Sequence, residues 1–299
     1  MSIDVADAEL LAFERRIQAA LASGRADGLT ILGYGEVTTC LALETRGGGV
    51  ACKRITPFPE RARAEATADL IRRYVEALAA RGVDVIATEV RVVPGPDGGA
   101  VLYCLQPSFR PEQLATEHCR RAGEDAALAC VRRIFAALAG AVTPEVAPDG
   151  QLSNWAVVGE RLAYLDVSSP FMRDTEGREL LDWRHYLSGF PAPLRPVVHR
   201  WVLPRILGKY YSLRGQLVDF IGNLQKERLE SLIAPSIAFA NGLGVIPPID
   251  AGEVRTYYAE DARTYAVMQA LRRADRWWHR RILRRPYPYF LPPRFDRNL

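Results

Sequence analysis

The spacing of apolar positions changes several times along this chain. From Asp7 to Ala22 they recur every three to four residues (Leu10, Leu11, Phe13, Ile17, Leu21), which predicts an amphipathic helix. The following stretch, TILGYGEVTTCLALETRGGGVACKRI, predicts three strands at Thr30–Leu32, Thr38–Glu44 and Val50–Ile55. A glycine-containing turn joins the first two, and a GGG turn joins the second to the third. PFPERARAEATADLIRRYVEALAARG then predicts a helix stopping near Gly82, where glycine can end it. VDVIATEVRVVPGPDGGAVLYCLQP predicts two more strands around a PGPDGG turn.

After Pro107 the pattern becomes mainly helical. Glu124–Val142 carries a strong apolar stripe (Ala127, Leu128, Val131, Ile134, Phe135, Leu138). WAVV and LAYL, separated by GER, predict a tight hairpin. Further helices are expected around Leu180–Leu187, Leu194–Leu207, Gln216–Leu232 and Asp261–Leu283. There are no repeats and no low-complexity blocks. The order predicts an α+β fold in two parts, a β-rich unit over 1–106 and a helical unit over 107–299.

Composition adds exclusions. The 48% hydrophobic and 25% charged content is that of a globular chain. No apolar run approaches the ~18 residues of a membrane span. The start, MSIDVADAELLAFERR, lacks the basic and apolar blocks of a signal peptide, so a cytoplasmic location is expected. The cysteines Cys40, Cys52, Cys104, Cys119 and Cys130 form no CxxC pair and read as buried reduced thiols. The four His are scattered, which argues against a zinc site.

Net charge is +4, with Arg concentrated in ALRRADRWWHRRILRRPYPYFLPPRFDR. That segment reads first as a terminal helix with a solvated Arg face and a packed Pro-rich tail. A nucleic-acid or membrane surface is the lesser alternative. Among 39 basic residues only Lys53, Lys209 and Lys226 are Lys. Where a plain cation would serve, this chain uses Arg, so a Lys in an apolar strand, as Lys53 is, invites a specific explanation.

The stretch DGQLSNWAVVGERLAYLDVSSP brackets its hairpin with Asp149 and Asn154 on one side and Asp166 on the other. Read on its own, Asp149-Gly150 could be a turn, with Asn154 and Asp166 capping strand ends. In order with LGYGEV and GVACKRI upstream, the chain resembles the protein-kinase-like fold. Within that fold it resembles most the aminoglycoside- and choline-phosphotransferase branch, and usable motifs run from Leu29 to Arg173. The resemblance implies a bilobal architecture, a small β-rich N-lobe (1–106) and a larger mainly helical C-lobe (107–299).

It also implies an ATP- and Mg²⁺-dependent phosphotransferase acting on a small hydroxylated or amino metabolite that the sequence does not identify. Gly33, Tyr34 and Gly35 would approach the nucleotide phosphates through backbone N–H groups, although a plain glycine hairpin is an equal reading of that turn. Lys53 would contact the α/β-phosphates. A helix Glu would hold it; Glu60, Glu65 and Glu76 are available, and Glu65 is preferred because Glu60 stands at the helix start and Glu76 is late. The main chain at Leu105, Gln106 and Pro107 would meet the adenine edge. Asp149 would be the base, and Asn154 and Asp166 the metal ligands. The family usually has His two residues before the catalytic Asp; here Ala147 stands there. That departure supports an alternative, a kinase-like pseudoenzyme serving as a nucleotide-binding or scaffold protein. Arg173 is open to an anionic substrate or to a structural contact with an Asp. Tyr210, Tyr211, Asp219, Asn223 and Glu227 are candidates for lining a pocket. Nucleic acid is not an expected partner.

Overall fold

The computed structural model describes residues 3–35 and 38–293. Five antiparallel strands build a sheet in the N-terminal part: β1 (Ile31–Tyr34), β2 (Thr38–Thr45), β3 (Gly48–Ile55), β4 (Glu89–Pro94) and β5 (Ala100–Pro107), in the order β1-β2-β3-β5-β4. In the central register Cys40 lies opposite Lys53, and Lys53 opposite Cys104. Successive residues of a strand face opposite sides, so Lys53 and Arg54 leave β3 in opposite directions.

Each face of this sheet is covered by a helix. The N-terminal helix α1 (Asp7–Ser23) lays Leu10, Phe13 and Ile17 on Leu41, Val50, Cys52, Tyr103 and Leu105. On the opposite side, α2 (Arg61–Ala79) turns Ala64, Ala68, Ile71 and Tyr74 toward Ile55, Leu102 and Cys104. Small alanines at four-residue spacing let that helix approach the strands closely.

The C-terminal part is mostly helical. It contains α3 (Ala115–Arg121), α4 (Glu124–Ala141), the short strands β6 (Val146–Ala147) and β9 (Phe171–Met172), and the hairpin β7 (Trp155–Val158) and β8 (Arg161–Tyr164). Then follow α5 (Trp183–Tyr186), α6 (Arg195–Val197), α7 (Leu203–Gly208), α8 (Leu213–Lys226), α9 (Ile233–Gly242) and the long α10 (Ala251–Arg281). The hairpin is fixed to the N-terminal part by backbone bonds from Tyr164 N to Asp84 O and from Ile86 N to Tyr164 O, 2.8 and 3.0 Å. No described helix is long and apolar enough to cross a membrane.

Three helical expectations need correction. α3 and α9 were not anticipated, and α10 starts ten residues earlier than expected. α3 is only seven residues long, and α9 (IAPSIAFANG) is too evenly apolar to show a stripe. The start of α10 is set by Asp250, whose carboxylate accepts from the backbone N–H groups of Gly252 and Glu253. The Arg-rich end continues as a tail in which Tyr287 and Tyr289 are buried.

Candidate functional site

The loop between β6 and β7 is pinned residue by residue. Tyr74, from α2, donates to the carbonyl of Ala147 at 2.8 Å. Gln216, from α8, donates to the carbonyl of Pro148 and accepts from Gly150 N. Asp149 N donates to the hydroxyl of Tyr164, and Trp155 Nε1 to the carbonyl of Gly150. A Cβ on Gly150 would meet Gln216 Oε1 at 2.6 Å and Leu138 Cδ1 at 2.8 Å, so only glycine allows this approach. Side chains from α2, β8 and α8 thus hold the loop around Ala147 and Asp149. Those contacts join residues up to about seventy positions apart and leave no mark in the local sequence.

Asn154 ends a short 3₁₀ turn at the entrance to β7, and its Nδ2 donates to the carbonyl of Asp149. Its own carbonyl accepts from Leu165 N, which ties the loop to the far end of the hairpin. Asp166 follows directly. Its Oδ1 accepts from Lys53 Nζ at 2.8 Å and from both the backbone and hydroxyl of Ser168. Oδ2 of Asp166 and Oδ1 of Asn154 take no hydrogen bond among the described residues.

The two carboxylates differ in protonation. Burial pushes Asp149 up, the nearby charges of Asp219 and Asp166 add to this, and its carboxyl reaches about 7. Burial also acts on Asp166, but Lys53 and Ser168 outweigh it and hold Asp166 below the usual carboxylate range. Neighbouring acids thus sit on opposite sides of their ordinary value, an arrangement suited to one proton acceptor and one permanent anion.

Both line one cavity of about 810 Å³, together with Tyr34, Gly35 and Asn154. Tyr34 and Gly35, at the end of β1, therefore share this cavity with Asp149 and Asp166. Gly35 N donates to Thr38 O, and a Cβ at Gly35 would lie 2.2 Å from Thr38 Oγ1. Glu36 and Val37 of the same turn lie outside the described residues. Gly33 stays within β1, paired with Cys40.

Other expected residues lie elsewhere. Glu65 is exposed and bound to Arg61 one helical turn away at 2.7 Å, not to Lys53. The face of α2 turned to the sheet carries Ala64 and Ala68, so no acid of that helix reaches Lys53, which takes Asp166 instead. On β5, Leu105 packs into the cluster under α1. Gln106 is buried and donates to Thr88 Oγ1 and to the carbonyl of Leu165. Pro107 pairs with Val50 at the strand end. Arg173 is bound to Glu179 at 2.7 Å and lies over the ring of Tyr211 at 3.7 Å, so its structural partner is a Glu rather than an Asp.

A second polar group, beyond motif reasoning, adjoins Asp149. The carboxylate of Asp219 on α8 accepts from Lys209 Nζ at 2.8 Å, from the hydroxyl of Tyr257 at 2.6 Å and from Asn223. Gln151 donates to Asp219 at 3.4 Å and accepts from Lys226 Nζ at 3.1 Å. All three lysines of the chain thus converge here: Lys53 on Asp166, Lys209 on Asp219, and Lys226 on Gln151, two residues past Asp149. Their scarcity was the available signal, and it was read for Lys53 alone.

No group of three or more His, Cys, Asp or Glu side chains among the described residues could hold a metal ion. One carboxylate and one amide with uncommitted oxygens fit a hard cation that draws its remaining ligands from phosphates and water.

No curated protein sequence matches the chain. Among solved structures, it is similar to the crystal structure of a mutant of the Mycobacterium tuberculosis PknI kinase domain. The TM-score is 0.33 and the identity 15%, over 67% of this chain and 72% of that one. A family model described as a family of unknown function, DUF6206, matches residues 12–276, and the chain belongs to that family.

Proposed function

We propose that the protein is an ATP- and Mg²⁺-dependent phosphotransferase of protein-kinase-like, two-lobed fold, acting on a small metabolite. The observation carrying this reading is the pairing on one cavity wall of Asp149, lifted to about 7, with Asp166, held ionised by Lys53. Bound ATP and Mg²⁺ would supply the phosphoryl group and neutralise charge developing on it. Asp166 Oδ2 and Asn154 Oδ1 are the oxygens that would hold the metal. Lys53 would serve the α/β-phosphates, and the backbone at Gly33, Tyr34 and Gly35 would approach them. The main chain of Leu105, Gln106 and Pro107 would take the adenine edge. Glu65 has no part in the proposal.

Asp149 acts as the base. As the acceptor oxygen bonds to phosphorus and the bond from phosphorus to ADP breaks, the acceptor proton passes to the Asp149 carboxylate. The Tyr74, Tyr164 and Gln216 contacts fix the backbone that carries Asp149, so the rate enhancement comes from positioning and fixed charge.

The test is thermal stabilisation by ATP with and without Mg²⁺. Stabilisation should require both and disappear in Asp166→Ala. Asp149→Ala should keep the stabilisation and lose ATP consumption against a panel of metabolites; full turnover in that variant would remove Asp149 as the base. A pseudoenzyme is the second reading, favoured by Glu65 pairing with Arg61 rather than Lys53. It predicts metal-dependent binding without ATP consumption.

A further inference from the structure

The cavity extends well past the two carboxylates, and the chemistry of its lining changes along the way. At the Asp149 end it is polar, with Gln151, Ser153, Asn154 and Ser168. Beyond them one wall is the ring of Phe171, stacked on Tyr210 at 4.0 Å and 16°. A second wall is Val202, Leu203 and Ile206, from the irregular helical run ending in α7. Met268 and Leu271 of α10 form a third.

Charge is distributed unevenly too. Among the described lining residues the only acids are Asp149 and Asp166, both at the polar end, and Asp166 is already paired with Lys53. The only bases are Lys226 and Arg263. The nearby Asp219 is occupied by Lys209 and Tyr257. A ligand bearing several ammonium groups would find, among the described lining residues, no free carboxylate for its far end. It would lose hydration there without a counter-charge. An apolar body would instead remove aromatic and aliphatic wall from water.

We infer that the acceptor is an alcohol on a largely apolar body, neutral or anionic, whose hydroxyl lies at Asp149 while the body rests against Phe171, Leu203, Ile206 and Met268. This rests on the phosphotransferase reading and narrows it, excluding polycationic amino compounds as preferred acceptors. Of the two bases, Arg263 is exposed and carries no hydrogen bond or ion pair among the described residues, so it is the available partner for an anionic group on the body.

The experiment uses the full chain and 10-hydroxydecanoate as probe, with 2-phenylethanol as a neutral probe and kanamycin and choline as cationic comparators. Binding is read without nucleotide by quenching of tryptophan fluorescence, since Trp183 lines the cavity. Ile206→Asp places a carboxylate in the apolar wall at a half-buried position, and Arg263→Ala tests the anionic group. The expected result is saturable binding of 10-hydroxydecanoate, weakened about tenfold or more by Ile206→Asp. Arg263→Ala should weaken 10-hydroxydecanoate and leave 2-phenylethanol unchanged. Tighter binding of kanamycin or choline than of either alcohol would overturn the inference, as would hydroxydecanoate binding indifferent to Ile206→Asp in a variant of unchanged melting temperature. The phosphotransferase reading is tested separately by ATP–Mg²⁺ stabilisation. Its absence, with alcohol binding intact, removes the reaction and leaves the cavity assignment standing.

Discussion

Two ion pairs leave β3 from neighbouring residues and have opposite surroundings. On the outer face, Arg54 makes a two-pronged contact with Glu14 of α1 at 2.8 and 2.7 Å, and the hydroxyl of Tyr103 donates to the same carboxylate. Both side chains are almost fully enclosed, at 5% and 2% exposure. On the inner face, Lys53 meets Asp166 through one bond, with 17% and 22% exposure, and Asp166 lines the cavity. The outer pair uses both carboxylate oxygens, so it can only fasten α1 to the sheet. The inner pair leaves one carboxylate oxygen uncommitted, which makes it available for chemistry. Ion pairs one residue apart can therefore differ in surroundings and in the oxygens they leave uncommitted, a difference that distance alone does not show.

Paired substitutions should split the two roles. Lys53→Met is expected to lower turnover about 10³-fold, roughly 4 kcal/mol of barrier, with a melting temperature near wild type. Steady-state kinetics beside calorimetry would check this, and an unimpaired Lys53→Met enzyme would make the inner pair structural as well. Arg54→Met should do the reverse. Stranding Glu14 in a dry interface is expected to cost about 3 kcal/mol of stability, seen in denaturant melts, while turnover per folded molecule is retained.

The raised carboxyl of Asp149 sharpens the inner side further. Below pH 7 its base form is depleted, so kcat/KM should fall about tenfold per pH unit, ~1.4 kcal/mol each. Folding is linked with a definite sign. The folded protein keeps this proton up to about pH 7, while the unfolded chain releases it near pH 4. Stability is therefore lost as pH rises between those values. Asp149→Asn should melt higher than wild type above pH 7, and the two should converge below about pH 4; equal melting temperatures at pH 8 would refute the shift. The smallest effect belongs to Glu65→Ala. Loss of its exposed pair with Arg61 should cost about 0.3 kcal/mol and leave kinetics unchanged. A large kinetic defect there would restore the sequence-based pairing with Lys53.

Local features carried most of the fold into the sequence. The five strands follow from short alternating runs between glycine turns, and the spacing of Asp149, Asn154 and Asp166 around GER placed them at the open ends of one hairpin. Glu65 failed for a physical reason. Which residues of α2 face the sheet depends on the rotation of the helix, and Ala64 and Ala68 win that face because a close approach needs small side chains. Asp219 and Asn223 were legible as polar positions that could line a pocket, but their union with Lys209 and Tyr257 was hidden because it joins α8, α10 and the turn between α7 and α8, which meet only after folding. The supports of the Asp149 loop were hidden likewise: Tyr74 and Gln216 flank it from far along the chain, and neither residue type announces such a role.

The distribution of amines over this molecule has a practical consequence. With Lys confined to positions 53, 209 and 226, and all three side chains bound at one locality, acylating reagents have no lysine target elsewhere on the chain. Apart from the α-amino group, the stoichiometry and rate of acylation would report the occupancy of that locality directly. Covalent footprinting by mass spectrometry could then follow a ligand of unknown identity without any assay of turnover.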